Sequence, residues 1–419
     1  MERMADKLIS GGFTVVSFDE KADYYIVNTC SVTNIADRKS RQMLHRAKKI
    51  NPGGVVVAVG CYVDTHGKEE VCLDDIDMAL PNAEKDNIIE YLRAWEESHS
   101  KEEAEGSAET NGTNIRNSED IHHISGEGIY TRKFLKVQDG CNMFCSYCII
   151  PYARGRIRSR SIGDVISEII ALTEEGYREF VLTGIHLSSY GKDRPDENED
   201  LLKLIKETDS LPGVKRIRLG SLEPRIVTDE FAEELSKIGS LCPHFHLSLQ
   251  SGCDTVLKRM NRHYTVKEYE ESVERLRKFF NDPAMTTDVI VGFPGETEKE
   301  FEETREFLNK ISFYETHIFP YSRRKGTNAD RMDGQLSRKV KHDRLEILKE
   351  LDKKNREEYE ERWIGREAEV LFEEENSGYT REYIRVKYLG DTVEPGTILK
   401  GRISGRDKEK ILCFAGNDS

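Results

Sequence analysis

Phe134-Leu135-Lys136-Val137-Gln138-Asp139-Gly140-Cys141-Asn142-Met143-Phe144-Cys145-Ser146-Tyr147-Cys148 reads as a strand, Phe134 to Gln138, running into a loop with three cysteines. The thiols follow a C-x3-C-x2-C spacing, with Phe144 and Tyr147 between them. A closed structural zinc site asks for four ligands. Three thiolates on one short loop suit an iron–sulfur cluster with one iron open to a further ligand. Three core cysteines, or half of a zinc site, are the alternatives.

Outward from this loop, strand and helix patterns alternate over residues 130–330. Strands are predicted at Phe134 to Gln138, Glu179 to Leu182, Lys215 to Leu219, His244 to Leu249, Thr286 to Val291 and Tyr314 to Phe319. Helices are predicted at Ile162 to Glu175, Leu201 to Thr208, Asp229 to Lys237, Val266 to Phe280 and Glu298 to Asn309. Such alternation means parallel strands with right-handed crossovers. Six units suggest an open, partial (β/α)6 barrel, with chemistry at the carboxyl ends of its strands. The cysteine loop leaves the first strand at that end.

The flanks differ in character. Residues 1–95 read as a small parallel α/β domain: a helix end at Met4 to Ile9, strands at Phe13 to Phe18, Tyr24 to Asn28 and Val55 to Val59, and helices at Ala36 to Ile50 and Ile88 to Trp95. Residues 96–127 are acidic, small and polar, and read as a flexible linker. The core spans 128–361 and ends in a charged helix, Leu336 to Glu361. Residues 362–415 read as a small β-barrel, with strands at Ala368 to Phe372, Glu382 to Leu389, Ile398 to Ser404 and Lys410 to Phe414.

The 419 residues suffice for two or three domains. A formal charge of -14 argues against nucleic-acid binding by bulk charge, though not by local basic patches. No apolar run reaches the roughly 18 residues of a membrane span. Met1-Glu2-Arg3-Met4-Ala5-Asp6 lacks the basic-then-apolar pattern of a signal peptide. Nine cysteines, an odd number, fit metal-bound thiolates in a reducing cytoplasm better than secreted disulfides.

Cys30 and Cys61 each follow an apolar strand, so a parallel sheet puts both on one edge, where loops converge. Taken alone, the two are better read as core cysteines. Arg154, Arg156, Arg158 and Arg160 alternate just after the cluster loop; the choice is between a solvated face and contacts to phosphate or a cofactor carboxylate. Lys258-Arg259-Met260-Asn261-Arg262-His263 and Arg323-Arg324-Lys325 add further basic groups. In the tail, Arg366, Arg381, Arg385, Lys387, Lys400, Arg402, Arg406, Lys408 and Lys410 interleave with Tyr379, Tyr383 and Tyr388, a pattern suited to RNA backbone contact and base stacking.

The cysteine spacing and the alternating core resemble the radical S-adenosylmethionine (SAM) superfamily. Asn28-Thr29-Cys30-Ser31-Val32-Thr33, Ala36-Asp37-Arg38-Lys39-Ser40-Arg41 and Gly60-Cys61-Tyr62 resemble the N-terminal domain of the methylthiotransferases. The likeness continues through Cys141 to Pro151, Arg154 to Arg160, Ser248-Leu249-Gln250-Ser251-Gly252 and Asp288 to Glu296. The tail is similar to the TRAM domain, a small RNA-binding barrel.

This resemblance implies a 4Fe-4S cluster on Cys141, Cys145 and Cys148, whose open iron binds SAM. It implies an auxiliary 4Fe-4S cluster on Cys30 and Cys61. The family begins with a strand ending in a third auxiliary cysteine, whereas this chain starts in what resembles the following helix. One strand and one thiolate are therefore expected to be missing, through a misplaced start or a truncation; Cys72 lies nearby in a different context. Tyr147 is implied to cover the adenine, Gly184 to approach the SAM amino group, and Glu223 and Gln250 to bind ribose or methionine. As isolated features, a packing aromatic is the alternative for Tyr147, and the others read equally as turn residues.

The implied reaction is methylthiolation of a C–H bond in tRNA. Thr183 to Gly191 and Arg218 to Pro224 look most like the subgroup acting on C2 of N6-threonylcarbamoyladenosine at position 37, ahead of the isopentenyladenosine and ribosomal-protein subgroups. Arg154 or Arg218 is expected to pair with the threonylcarbamoyl carboxylate. No side chain is assigned as general acid or base. The implied partners are tRNA and an electron donor such as flavodoxin or ferredoxin. A non-catalytic tRNA binder is the reading of another class.

Overall fold

The computed structural model describes residues 2–31, 33–67, 76–104, 131–408 and 411–416. The chain divides into two compact units: Met1–Glu127 with Tyr152–Arg154, and Gly128–Pro151 with Gly155–Ser419.

In the first unit a parallel sheet has the order β1 (Tyr24–Thr29), β2 (Val55–Gly60), β3 (Met78–Leu80). Among the described residues its helices are α1 (Glu2–Ser10), α2 (Asn34–Ile50), α3 (Cys61–His66) and α4 (Ile88–Ala104). The near-continuous apolar run of β2 is what a sheet covered on both faces requires. Val56 and Ala58 pack with Leu44, Ala47 and Tyr62. Val57 and Val59 pack with Leu8, Ile88 and Leu92. The Thr33 hydroxyl accepts the Ala36 N–H and so starts α2.

Two expectations fail here. Phe13 to Phe18 is not a strand. Its apolar residues pack without pairing: Phe13 lies edge-on to Tyr24 and Phe18 edge-on to Tyr25. The linker expected from residue 96 begins instead as the last turns of α4, because Glu, Lys and Ala are good helix formers even where no core is buried. The rest of that linker, and Cys72, lie outside the described residues.

Among its described residues the core of the second unit carries six parallel strands. β4 (Arg132–Asp139), β6 (Glu179–Gly184) and β7 (Arg216–Leu219) form one sheet, edged by the short antiparallel β5 (Arg158–Ser159). β8 (His244–His246), β9 (Ala284–Val291) and β10 (Glu315–Pro320) form the other. Bridges Ile217–Leu241 and Leu222–Leu247 join them, which gives the open barrel. The helices are α5 (Ile150–Ala153), α6 (Ile162–Glu174), α7 (Leu201–Asp209), α8 (Asp229–Ser236), α9 (Asp254–Arg259), α10 (Val266–Phe279), α11 (Glu298–Ile311) and α12 (Arg338–Glu361).

β8 is shorter than the predicted His244 to Leu249, and the cause is local. Side-chain hydroxyls take over its ladder bonds: Thr287 and Tyr269 donate to the Leu247 carbonyl, Tyr264 donates to those of Ser248 and Leu249, and the Leu249 N–H donates to Thr287.

The tail is a closed barrel of five strands, β11 (Glu367–Glu374), β12 (Ser377–Thr380), β13 (Arg385–Tyr388), β14 (Ile398–Arg406) and β15 (Leu412–Gly416), in the order β11-β12-β13-β15-β14. It belongs to the same unit as the core and sits at the amino ends of the core strands. There Glu179, fully buried, meets Arg132, Arg216 and Arg218 at 3.5, 3.5 and 2.7 Å. Across the junction Arg216 pairs with Glu369 at 3.1 Å and Arg132 with Glu373.

Candidate active site at the carboxyl ends of the strands

The cysteine loop leaves β4 through Gly140, whose φ of +69° an L-residue rarely adopts. A Cβ there would lie 1.9 Å from the Arg156 carbonyl oxygen, so the chain crosses itself at this point only because Gly140 has no side chain. Phe144 also takes a positive φ, 49°. Asn261 steadies that turn by donating to the Phe144 carbonyl at 3.0 Å. Ser146 fixes the loop on the segment after α9, donating through N to the Met260 carbonyl at 2.9 Å and through Oγ to that of Arg259 at 2.8 Å. Its own carbonyl accepts from Ala329 N at 2.7 Å.

Each thiol environment follows from these anchors. All three cysteines are free of disulfides. Arg262 Nη1 donates to Cys145 Sγ at 3.3 Å, and Met143 N to Cys141 Sγ at 3.4 Å. Burial pushes the Cys141 thiol up and the Cys148 thiol up to about 12. Only a cation brings such groups to thiolate at neutral pH. Three preorganised sulfurs, two already holding N–H donors, fit the three cysteine-ligated irons of a 4Fe-4S cluster. Arg262 is itself fixed by the Tyr264 hydroxyl at 3.0 Å and the Ser248 carbonyl at 3.3 Å.

Neighbouring strand ends gather around the loop. Gln138, buried in β4, donates to the Asp139 and Gly140 carbonyls, both at 2.8 Å, and its Oε1 accepts from His186 N at 2.8 Å. A Cβ on Gly184 would stand 2.8 Å from that Oε1, so the glycine admits the bridge. His186 Nδ1 meets Ser189 Oγ at 2.6 Å while its buried Nε2 has no hydrogen-bond partner. Burial and the Arg262 charge pull the His186 pKa down to about 4, so the ring is neutral. Glu223 is buried and takes the Arg225 guanidinium at 2.6 Å. Gln250 is buried at a φ of 73°. Tyr147, half-buried, packs against the apolar group of Cys253, Val256, Met260 and Phe293. A cavity of about 800 Å³ opens beside Glu223, lined also by Ser188, Lys192, Arg225 and Phe231; the cysteines do not line it.

Gln138 and Arg262 went unassigned from sequence. A polar residue at the carboxyl end of the strand, just before the cysteine loop, was the signal for the first. Arg262 stood in a run noted only as basic; it serves the cluster loop. Its neighbour Arg259 pairs with Glu300 at 2.8 Å.

In the first unit, Cys30 follows β1 and Cys61 follows β2, and these strands are parallel neighbours with Thr29 opposite Gly60. The two thiols therefore share one sheet edge. Asn82, beyond β3, donates to Cys61 Sγ at 3.3 Å. The Cys30 backbone is tied at N and O to Ser40 Oγ. Arg154 is half-buried in the short segment that belongs to this unit.

The structure overturns Arg218 as a substrate residue. All three of its guanidinium nitrogens are engaged: Nε with Glu179, Nη1 with the Arg381 carbonyl and Nη2 with the Thr380 carbonyl, the last two at 2.8 Å. It sits at the amino-end junction, away from the carboxyl rim. Tyr379 and Tyr383 are not open for base stacking either. They stack on each other at 4.7 Å, and Arg132 and Arg218 lie over the Tyr383 ring, both at 4.8 Å. Tyr388 packs on Phe372 and Phe414. The alternating arginines also diverge: Arg160 pairs with Glu168 at 2.6 Å, and Arg156 lies over Phe144.

Among the described residues no helix is long and apolar enough to cross a membrane. Residues 135–308 match the radical SAM superfamily. Residues 1–80 match an uncharacterized protein family, UPF0004. The threonylcarbamoyladenosine tRNA methylthiotransferase MtaB of Aquifex aeolicus is 40% identical over 387 residues, 92% of this chain and 92% of that protein. The Bacillus subtilis protein of the same name is 39% identical, over 94% of this chain and 88% of its own length. A Clostridium botulinum tRNA-2-methylthio-N(6)-dimethylallyladenosine synthase is 33% identical, over 96% and 90%. The solved structure of TsrM from Kitasatospora setae, a radical SAM methyltransferase with cobalamin and a 4Fe-4S cluster bound, shares the fold at a TM-score of 0.55 and 16% identity, covering 74% of this chain and 67% of that one. Relatives that match nearly end to end at such identity place this chain in the radical SAM methylthiotransferase family, as an enzyme whose cofactors are a 4Fe-4S cluster and SAM.

Proposed function

We propose that this enzyme methylthiolates C2 of N6-threonylcarbamoyladenosine at position 37 of tRNA. The observation that carries the reading is the anchored loop of Cys141, Cys145 and Cys148 at the strand ends, in a chain whose relatives at 39–40% identity bear that name. When bound, the cluster and SAM supply one-electron cleavage of a sulfonium, the chemistry an unactivated C–H bond requires.

The chain's own residues hold and orient. Cys141, Cys145 and Cys148 ligate three irons, and Arg262 fixes the Cys145 sulfur. Tyr147 covers the adenine, the backbone at Gly184 receives the SAM amino group, and Glu223 and Gln250 meet ribose or methionine. Cys30 and Cys61 hold the auxiliary cluster. Arg154 pairs with the threonylcarbamoyl carboxylate. On the tail barrel, the exposed Arg385, Lys387, Lys400, Arg402 and Lys408 face the RNA backbone. The reductant is a flavodoxin or ferredoxin.

Nucleoside analysis of tRNA from a strain lacking and then regaining this gene tests the substrate. The 2-methylthio derivative of threonylcarbamoyladenosine is expected to vanish and return. Return of the dimethylallyl derivative instead reassigns the substrate, and no change in either refutes tRNA methylthiolation. Iron counting on anaerobically reconstituted protein tests the second cluster: about eight irons per chain supports it and about four removes it.

A further inference from the structure

β8, β9 and β10 place His246, Asp288 and His317 side by side on the barrel-facing side of the sheet. Their outer-facing neighbours, Phe245, Leu247, Val289 and Val291, pack into the helix-covered core. Ligand atoms of the three residues all lie within 4.8 Å of one another. His317 is the direct register partner of Asp288. The two imidazole rings are nearly parallel, with centroids 5.6 Å apart.

The hydrogen bonding of His246 is the telling detail. Its Nδ1 meets Thr286 Oγ1 at 3.0 Å. Its Nε2 is buried and lies 3.2 Å from Asp288 Oδ2, yet off the line of any hydrogen bond. In the tautomer with Nδ1 donating to Thr286, Nε2 carries a lone pair beside the carboxylate; in the other, the Nε2–H points off the line to it. A proton off that line serves the contact poorly, whereas a metal ion bound by both atoms spans the same separation. On the other side, His317 Nδ1 stands 3.8 Å from Glu315 Oε1, a carboxylate suited to orient that ring.

We propose that His246, Asp288 and His317 form a divalent-metal site inside the barrel, separate from both sets of cysteines. Two imidazoles and one carboxylate are a zinc-type donor set, and three protein ligands leave a coordination position open. The His317 side chain is 44% exposed, so solvent reaches the site and an oxygen donor can fill the open position. The site lies about 7 Å along β9 from Ile290, two residues on and on the same face. Ile290 packs against the same apolar group as Tyr147, which puts the metal one side-chain layer below the cluster loop.

The test uses full-length, cluster-loaded protein, incubated anaerobically with one equivalent of Zn2+ and desalted. Elemental analysis is expected to give about one zinc per chain at unchanged iron, and zinc-edge X-ray absorption a first shell of nitrogen and oxygen at about 2.0–2.1 Å. H246Q and H317Q are expected to lose the zinc and keep the iron. A sulfur shell near 2.3 Å means zinc on cysteine thiolates and overturns the site. So does protein that retains no zinc, or zinc that persists in both variants. The absorption spectrum of the unmutated protein decides even where a variant fails to fold.

Discussion

The two ends of the same half-barrel are both built from polar strand termini, and they use them in opposite ways. At the carboxyl rim, side chains bond mainly to backbone: Gln138 and Ser146 to carbonyls, Arg262 to a thiol and a carbonyl. The buried His186 Nε2 is left without a hydrogen-bond partner. At the amino end, charge meets charge: Glu179 with three arginines, and Glu369 and Glu373 with two of the same three. The rim keeps unsatisfied valence for cofactors, whereas the amino end leaves little for any ligand. An arginine in a strand is therefore no evidence of binding until its own chain's carboxylates are accounted for.

Damage at the rim should separate chemistry from folding. Cys145→Ser is expected to abolish 5′-deoxyadenosine formation with dithionite and SAM, and to remove about four irons per chain. The urea midpoint of the cluster-free protein should hardly move. Undiminished 5′-deoxyadenosine formation would show that the loop is not the cluster site.

Damage at the amino end should do the reverse. Burial raises the Glu179 pKa, but Arg218, Arg132 and Arg216 outweigh it and hold the carboxyl below its usual range. Glu179→Gln leaves three guanidiniums around a neutral amide, a loss of about 3–5 kcal/mol in urea unfolding. The tail barrel should become sensitive to limited proteolysis. Arg218→Met should cost stability while leaving discrimination between threonylcarbamoyl- and dimethylallyl-adenosine tRNA unchanged per folded molecule. A changed preference would return Arg218 to the substrate and erase the contrast between the two ends.

That contrast also marks what the sequence discloses. The cysteine loop is legible because its ligands lie within eight residues, and the strands and helices because their periods are local. The shared edge of Cys30 and Cys61 is legible because parallel strands end in step. Arg218 was misread because its partners stand 39 and more than 160 positions away. Tyr379 and Tyr383 were misread for the same reason: aromatics interleaved with basic residues look alike whether they await a base or already carry an arginine. Phe13 to Phe18 has strand composition but no ladder partner among the described residues, and pairing is a tertiary fact.

The smallest expected effect lies between the two ends, in the support of the cysteine loop. Glu300 closes the capping box of α11 with Thr297 and also takes Arg259, whose carbonyl receives the Ser146 hydroxyl. Hydrogen bonding from Arg259 holds the Glu300 carboxyl down, from 4.5 to about 2. A carboxyl lowered in the folded state stabilises fully above its unfolded value and loses that contribution as pH falls through the folded one. Glu300→Gln is expected to cost about 2 kcal/mol at pH 7. The difference from the unmutated protein should shrink between pH 4.5 and about 2, as both side chains become neutral there. Urea unfolding across that window reads it directly. A gap constant with pH would mean that the charge on Glu300 contributes nothing and that shape alone seats the loop.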